Sequence, residues 1–250
     1  GRSKLWRSPS SIDSADGDRT LTTAFTLLAC GTRPVLPPGC PDQAADDSPI
    51  VLTSDTVGRL KEIPHSLVVV GGGVIGVEYA SFFAVLGTKV TLVERAARPI
   101  SFMDHETVDE MIHDLRTHDL VLRCNENVTS IAVTPEPNRR VQLELESGKR
   151  ITADAAIVSG GRQGCVEGLH LEAIGLAADA RGRIGVDGFY RTSVASVFAA
   201  GDIIGFPALS ATSAAQGRIA ALAMFGAPVQ PMGEDYPFGI YAIPELSSAG

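Results

Sequence analysis

The run Gly71-Gly72-Gly73-Val74-Ile75-Gly76 constrains this 250-residue chain more than any other feature. It follows an apolar stretch, residues 67–70, and precedes a helix-patterned stretch reaching about Leu86. A second apolar strand then runs from Lys89 to Glu94. Strand, glycine turn, helix and strand in that order make a βαβ unit, whose crossover is almost always right-handed and whose strands lie parallel. A G-x-G-x-x-G match carries meaning only in this strand-to-helix context, and here it has it.

Each glycine has its own task. Gly71 permits the tight turn, Gly73 lets main chain approach a diphosphate, and Gly76 lets helix and strand pack closely. The diphosphate then sits on unpaired helix N–H groups, where the helix dipole favours negative charge. Gly76, Ala80 and Ala84 recur at helical spacing, so one face of the helix can lie flush against a sheet. Glu94 ends the second strand eighteen residues after Gly76, near the ~20-residue offset at which an acid accepts hydrogen bonds from the adenosine ribose hydroxyls. That points to NAD. Arg95 and Arg98 follow at once, and a guanidinium there can pair with the 2′-phosphate of NADP, so both nucleotides fit the pattern. The bland alternatives are a plain tight turn for the glycines and solvated surface arginines for the pair. Glu78 stands on the fingerprint helix, exposed or facing the nicotinamide end; if buried, it needs a cation.

Composition sets the remaining bounds. Hydrophobic residues make up 44% and charged residues 20% of the chain, as in soluble globular proteins. The net charge of −8 comes from scattered acids, which disfavours nucleic acid or an anionic membrane as partner. The longest apolar stretch, residues 67–87, is interrupted by five glycines and Glu78, so it reads as strand, turn and helix instead of a membrane span. Cys30, Cys40, Cys124 and Cys165 lie far apart in sequence with no CxxC pair, and the histidines 65, 105, 113, 118 and 170 are scattered and read as surface residues. Neither zinc site nor local dithiol is expected, and a reducing cytoplasm fits best. The Ser/Asp-rich segment after Gly1 has no signal-peptide core and reads as a cut or frayed end.

Other elements are expected as follows. Residues 25–29 form a buried strand that ends in a loop at Cys30-Gly31-Thr32, and residues 33–49 form a connector whose five prolines exclude helix and ladder. Asp104 caps a helix with Val108, Met111, Ile112 and Leu115 on one face. Residues 128–133, 141–145 and 151–158 form a small antiparallel excursion, with Glu136-Pro137-Asn138 as a turn. Residues 197–200 make a strand ending at Gly201-Asp202, and an alanine-rich helix, 211–225, closes at Gly226. Pro231, Pro237 and Pro244 leave the last segment irregular, with little to pack on.

The order Ala29-Cys30-Gly31-Thr32-Arg33-Pro34, the fingerprint through Glu78, Gly161-Arg162 and Ala200-Gly201-Asp202 resembles the two-dinucleotide flavoprotein disulfide reductases, the FAD-dependent pyridine nucleotide-disulfide oxidoreductase family, over nearly the whole chain. Within it, Gly161-Arg162-Gln163-Gly164, Gly205-Phe206-Pro207-Ala208-Leu209, Gln216-Gly217-Arg218 and residues 239–245 are most similar to the soluble, Si-specific transhydrogenase branch. The resemblance implies an α/β chain with a Rossmann-like NAD(P)-binding domain, 58–164, inserted in an incomplete FAD-binding domain, 1–57 and 165–230, with residues 231–250 starting an interface domain. It implies FAD with Asp202 on its ribityl chain and main chain at Ala29, Cys30, Gly31, Ala208, Leu209, Ser210 and Ala211 near the flavin. It implies NAD or NADP on Gly71, Gly72, Gly73, Val74, Ile75, Gly76, Val77, Glu78, Glu94, Arg95, Val128 and Gly161. The implied reaction is hydride transfer from NADPH through the flavin to NAD, in a homodimer or higher oligomer when full-length. The family's first glycine fingerprint, its reactive cysteine helix and the lysine that would partner Glu78 should precede residue 1, and most of the interface domain should follow Gly250. Cys30 stands where the family has Thr or Ala, and Ser159-Gly160-Gly161 is an unusual lead into Arg162. Dihydrolipoamide dehydrogenase or a related dithiol reductase is the rival within the family. A noncatalytic NAD-binding module is the rival outside it.

Overall fold

The computed structural model describes residues 22–43, 46–135, 137–233 and 235–248. The expectations for the segment after Gly1 and for Glu136 in its turn therefore lie outside the described residues. In chain order the regular elements are β1 (Thr26–Leu28), β2 (Thr32–Pro34), β3 (Val51–Leu52), β4 (Ser66–Val70), α1 (Val74–Val85), β5 (Lys89–Val93), α2 (His105–Thr117), β6 (Val121–Arg123), β7 (Val128–Val133), β8 (Val141–Leu145), β9 (Arg150–Ala153) and β10 (Ala155–Val158). There follow β11 (Arg162–Gly164), β12 (Val197–Ala199), α3 (Ser210–Met224), β13 (Phe238–Ile240) and β14 (Leu246–Ser248). Two compact units result: Gly1–Arg33 with Arg162–Glu234, and Pro34–Gly161 with Asp235–Gly250.

The second unit is built on a five-stranded sheet in the order β3-β10-β4-β5-β6. Every pair in it is parallel, with Val70 opposite Val93 and Val158. Such strands are covered on both faces, which is why 67–70 reads as an unbroken apolar run and not as an alternation. Leu67, Val69, Leu92 and Ile157 face Val77, Ala80 and Phe83 of α1 and Val108, Met111 and Leu115 of α2. Val68, Val93, Ala156 and Val158 face Ile131, Val141 and Leu143. Those last three belong to the antiparallel sheet β7-β8-β9, where Val141, Leu143 and Leu145 are buried and Gln142 and Glu144 between them are exposed. Leu92 is fully buried, and truncating such a side chain to Ala costs about 2–5 kcal/mol.

Helix placement follows local chemistry. Asp104 caps α2 by accepting from the Glu106 and Thr107 N–H groups at 3.0 and 3.1 Å. Those bonds favour its charged form and hold its carboxyl below the usual range. On α1, Gly76, Ala80 and Ala84 are all buried, as the small-residue spacing predicts. A Cβ on Gly76 would stand 1.9 Å from the Gly71 carbonyl oxygen, so only glycine brings helix and turn this close.

In the first unit, β1 and β12 pair in parallel, Leu28 opposite Ala199. Val197 and Ala199 pack with Leu28, Ile184 and Ile203. Phe198, pointing the other way, packs with Tyr190, Ile219 and Ala220, the last two on α3. After α3, Gly226 takes φ +66 as the glycine expected there.

Three expectations are corrected. The proline-rich connector does enter a ladder at its start, where residues 33–34 fall in β2, which pairs with β11. Pro34 ends its strand and Pro49 precedes one, so neither has to donate within a ladder. Residues 151–158 are not one antiparallel strand. Asp154 breaks the run: its N–H donates to the Ser66 carbonyl at 3.1 Å, and its Oδ2 accepts from the Ser66 N–H at 2.8 Å and Oγ at 2.7 Å. β9 before it belongs to the antiparallel sheet, and β10 after it is an inner strand of the parallel one. The final segment is not left without packing. β13 and β14 form an antiparallel hairpin, and Ile240, Ala242 and Leu246 are buried with the helix-side core of the second unit. The two units divide at residues 33/34 and 161/162: β3 joins the parallel sheet and β11 pairs outside it.

Candidate functional site

The glycine turn joins the C-terminal end of β4 to the N-terminus of α1. Gly71, at φ +103, donates its N–H to the Val93 carbonyl at 2.8 Å, which ties the turn to the neighbouring strand. Gly72 donates its N–H to Glu94 Oε2 at 2.5 Å and accepts from the Ile100 N–H at 2.8 Å. Gly73 is the N-cap of α1; no side chain caps the helix, and its first turn has no acid. The N–H groups there are left for an incoming acceptor. A Cβ on Gly73 would meet nothing within 4 Å, so the open space lies where main chain faces the cleft.

Glu94 sits at the end of β5 with its main chain pinned, the N–H donating to the Arg123 carbonyl at 2.8 Å and the carbonyl accepting from Glu126 at 3.1 Å. Its second oxygen accepts from the Ala96 N–H at 2.7 Å. Each carboxylate oxygen keeps a lone pair, so the group can accept further hydroxyl donors. Arg98 pairs with Asp109 of α2, and Arg95 is exposed.

A cleft of about 490 Å³ opens here, within the size range of small-molecule sites. It brings together Gly71, Gly72, Gly73, Glu94, Arg95, Val128 and Gly161 of the expected residues. Val74, Ile75, Gly76, Val77 and Glu78 are not among its walls. Val77 is fully buried against the sheet, and Gly76 acts through close packing. Glu78 is half-buried and accepts from the Tyr241 N–H at 2.9 Å, so a main-chain donor meets its carboxylate.

Sequence reasoning gave Ser159 no role. Its hydroxyl lies 2.9 Å from the Val70 carbonyl and 3.0 Å from that of Gly71, bracing the turn from β10, and the residue lines the cleft. The signal was the small residue at the end of an apolar strand, which became informative only once that strand was known to lie beside β4.

In the first unit, the ends of β1 and β12 present Ala29, Cys30, Gly31 and Asp202 on one side of a two-stranded sheet. Thr32 links them: its hydroxyl donates to Asp202 Oδ2 at 3.3 Å and accepts from Arg162 Nε at 2.7 Å. Gln216 of α3 is fully buried, and its Oε1 accepts from the Gly201 N–H at 2.7 Å. Its Nε2 has no partner among the described residues, an orphaned donor just behind the Gly201-Asp202 turn. Ala208, Ser210 and Ala211 are exposed at the start of α3, where Leu209 is the N-cap.

No disulfide joins the four cysteines. Burial raises the Cys40 thiol to about 11, helped by Asp42, and burial likewise raises Cys30 and Cys124. Such thiols are poor nucleophiles near neutral pH. The five histidines are exposed as expected, and the described residues hold no metal-ligating cluster. Among the described residues no helix is long and apolar enough to cross a membrane.

Comparison with known proteins matches this geometry to a family. The model of the pyridine nucleotide-disulphide oxidoreductases matches residues 6–217. The soluble pyridine nucleotide transhydrogenase of Mycobacterium bovis (strain BCG / Pasteur 1173P2) is 45% identical over 231 residues, 92% of this chain and 48% of that protein. The protein of the same name from Marinomonas sp. (strain MWYL1) is 40% identical over 235 residues, 94% of this chain and 49% of its own. Among solved structures, LpdA from Mycobacterium tuberculosis superposes with a TM-score of 0.90 at 26% identity, covering 100% of this chain and 55% of that one. The HOCl-induced flavoprotein disulfide reductase RclA from Escherichia coli gives 0.85 at 28% identity, covering 96% and 54%. The chain thus spans about half the length of the curated relatives it matches. With its parallel sheet, its antiparallel strands and a family match over most of its length, the chain belongs to the pyridine nucleotide-disulphide oxidoreductase family.

Proposed function

We propose that the chain is part of a cytoplasmic flavoprotein that transfers hydride from NADPH to NAD through FAD, a soluble pyridine nucleotide transhydrogenase. In this reading the second unit is the NAD(P)-binding domain, inserted in the FAD-binding domain that the first unit represents. Residues 231–250 begin an interface domain, of which 235–248 pack on the second unit, and the full protein is a homodimer or higher oligomer. The observation that carries the reading is the uncapped N-terminus of α1 at Gly73, beside a carboxylate on Glu94 whose position is held by two main-chain N–H donors.

Each residue then has a physical task. The α1 N–H groups bind the diphosphate, where charge and helix dipole are complementary. Glu94 accepts the ribose hydroxyls, Gly71 and Gly76 set the approach, and Ser159 keeps the turn from opening. Glu78 anchors the segment at Tyr241 beside α1. For the flavin the donor set fits in part: Asp202 is a carboxylate at the end of β12, oriented by Thr32, and Gln216 carries an orphaned donor at the adjoining turn. FAD, when bound, supplies the hydride relay, and the residues of this chain supply position and electrostatics. The names of the relatives, 45% and 40% identical, support transhydrogenation over the dithiol reductase alternative.

The test is a fluorescence titration with NADH and NADPH, followed by a turnover assay with NADPH, thio-NAD as acceptor and FAD supplied. Binding and FAD-dependent reduction of thio-NAD are expected. Absence of binding removes the nucleotide reading. Binding with reduction of lipoamide instead of thio-NAD favours the dithiol reductase, and binding without turnover under any of these conditions favours the noncatalytic module.

A further inference from the structure

The cleft holds more charge than ribose recognition needs. Glu94, Arg95, Arg98 and Ser101 all line it. Arg98 follows Glu94 on the loop leading to α2, and its Nη1 is engaged by Asp109 Oδ1, on the second turn of that helix. Asp109 itself is not part of the wall. The arrangement is therefore a guanidinium at the cleft, beside the carboxylate that faces the sugar, restrained by a carboxylate behind it.

We propose that Asp109 is a specificity-determining residue: by holding Arg98 it withholds the guanidinium from a 2′-phosphate and biases the site toward NAD(H) over NADP(H). The inference rests on the nicotinamide-dinucleotide reading of this cleft. The charges carry it. A 2′-phosphate entering here meets the Glu94 carboxylate, which repels it, and needs a compensating cation. Arg98 is such a cation, with a planar fork suited to phosphate, but its charge is balanced by Asp109. The pair is half-exposed, with 37% of the Arg98 and 56% of the Asp109 side chain accessible, so it is weak and Asp109 biases the choice without blocking NADP. Asp109 touches neither Glu94 nor the glycine turn in the described hydrogen bonds, so removing its charge leaves the NADH contacts in place.

The experiment compares dissociation constants for NADH and NADPH, by fluorescence titration, in the unmodified chain, Asp109→Asn, Asp109→Glu, Arg98→Gln and the Asp109→Asn/Arg98→Gln double variant, each checked for native circular dichroism. In Asp109→Asn the NADPH affinity should rise about tenfold relative to that for NADH, the scale of one charge-assisted hydrogen bond. The gain should vanish in the double variant, and Asp109→Glu should keep the unmodified ratio. A ratio unchanged within about twofold in Asp109→Asn overturns the proposal, as does an equal shift in the double variant, since twofold is only about 0.4 kcal/mol. If NADH does not bind the unmodified chain, the reading of the cleft itself fails, and that outcome is separate from an unchanged ratio with NADH bound.

Discussion

Gly73 and Gly76 stand three residues apart in one motif, yet the structure gives them opposite sensitivities. A Cβ at Gly76 lands 1.9 Å from the Gly71 carbonyl oxygen and 2.7 Å from Ser159 Oγ, whereas a Cβ at Gly73 enters open space at an ordinary φ of −72. Gly76→Ala should therefore destabilise the fold by about 1–3 kcal/mol, measured by urea denaturation, because backbone must move to admit the methyl. Gly73→Ala should leave stability within about 0.5 kcal/mol. In the proposed site its methyl would occupy the diphosphate's approach, so NADH binding should weaken by about tenfold, or about 1.4 kcal/mol. Equal stability for the two variants would contradict these distinct roles. Glu94→Ala should weaken NADH binding by about 1–3 kcal/mol through loss of the half-buried acceptor proposed for the ribose hydroxyls, as isothermal titration would record. Unchanged affinity would take Glu94 out of the site. The glycines and Glu94 were legible because their chemistry is local in sequence, one turn and one strand end. Ser159 was not, since its hydroxyl acts on a turn 88 residues away and only strand order reveals the contact.

At the level of elements, β4, α1, β5 and α2 were legible because long apolar periods and an Asp N-cap specify them. The two-residue β3 and three-residue β6 were not, being too short for a period to register. The division of 151–158 at Asp154 was missed because its signal is a side-chain contact with Ser66 from another strand. That contact makes a pH prediction. Burial opposes the Asp154 charge, but the Ser66 hydroxyl and N–H and the Arg140 guanidinium outweigh it and lower its affinity for protons. A carboxyl held lower in the folded state than in the unfolded chain adds stability above the unfolded value and loses it as pH falls through the folded one. Asp154→Asn should cost about 0.5–1 kcal/mol at neutral pH, a charged hydrogen bond discounted for exposure, and the gap should close below the ordinary carboxylate range. A gap independent of pH would contradict it. The β13–β14 hairpin is held at α1 by Ser81, which is fully buried, accepts from the Ile243 N–H at 3.0 Å and donates to the Glu78 carbonyl at 2.9 Å. Ser81→Ala strands that N–H and should cost about 1–3 kcal/mol, with faster amide exchange over residues 238–248. Unchanged exchange there would show that apolar packing alone holds the hairpin.

For the whole molecule, residues 29–34, the glycine fingerprint through Glu78, Gly161-Arg162 and Ala200-Gly201-Asp202 were enough to indicate the family, because their residue types and order are read directly along the chain. How the chain divides was less legible: the crossings at 33/34 and 161/162 depend on which sheet each short strand joins, a long-range choice that leaves no local period. The return of residues 235–248 to the second unit has the same cause, since Ile240, Ala242 and Leu246 are buried by a core encoded more than 80 residues earlier. The account depends most on the nucleotide site. Its most direct test is a crystal structure of the chain grown with NADH. Density for the diphosphate over the N-terminus of α1 at Gly73, with ribose oxygens within hydrogen-bond distance of Glu94, is the expected result. NADH bound with its diphosphate away from that helix end, or with Glu94 turned from the sugar, would contradict it.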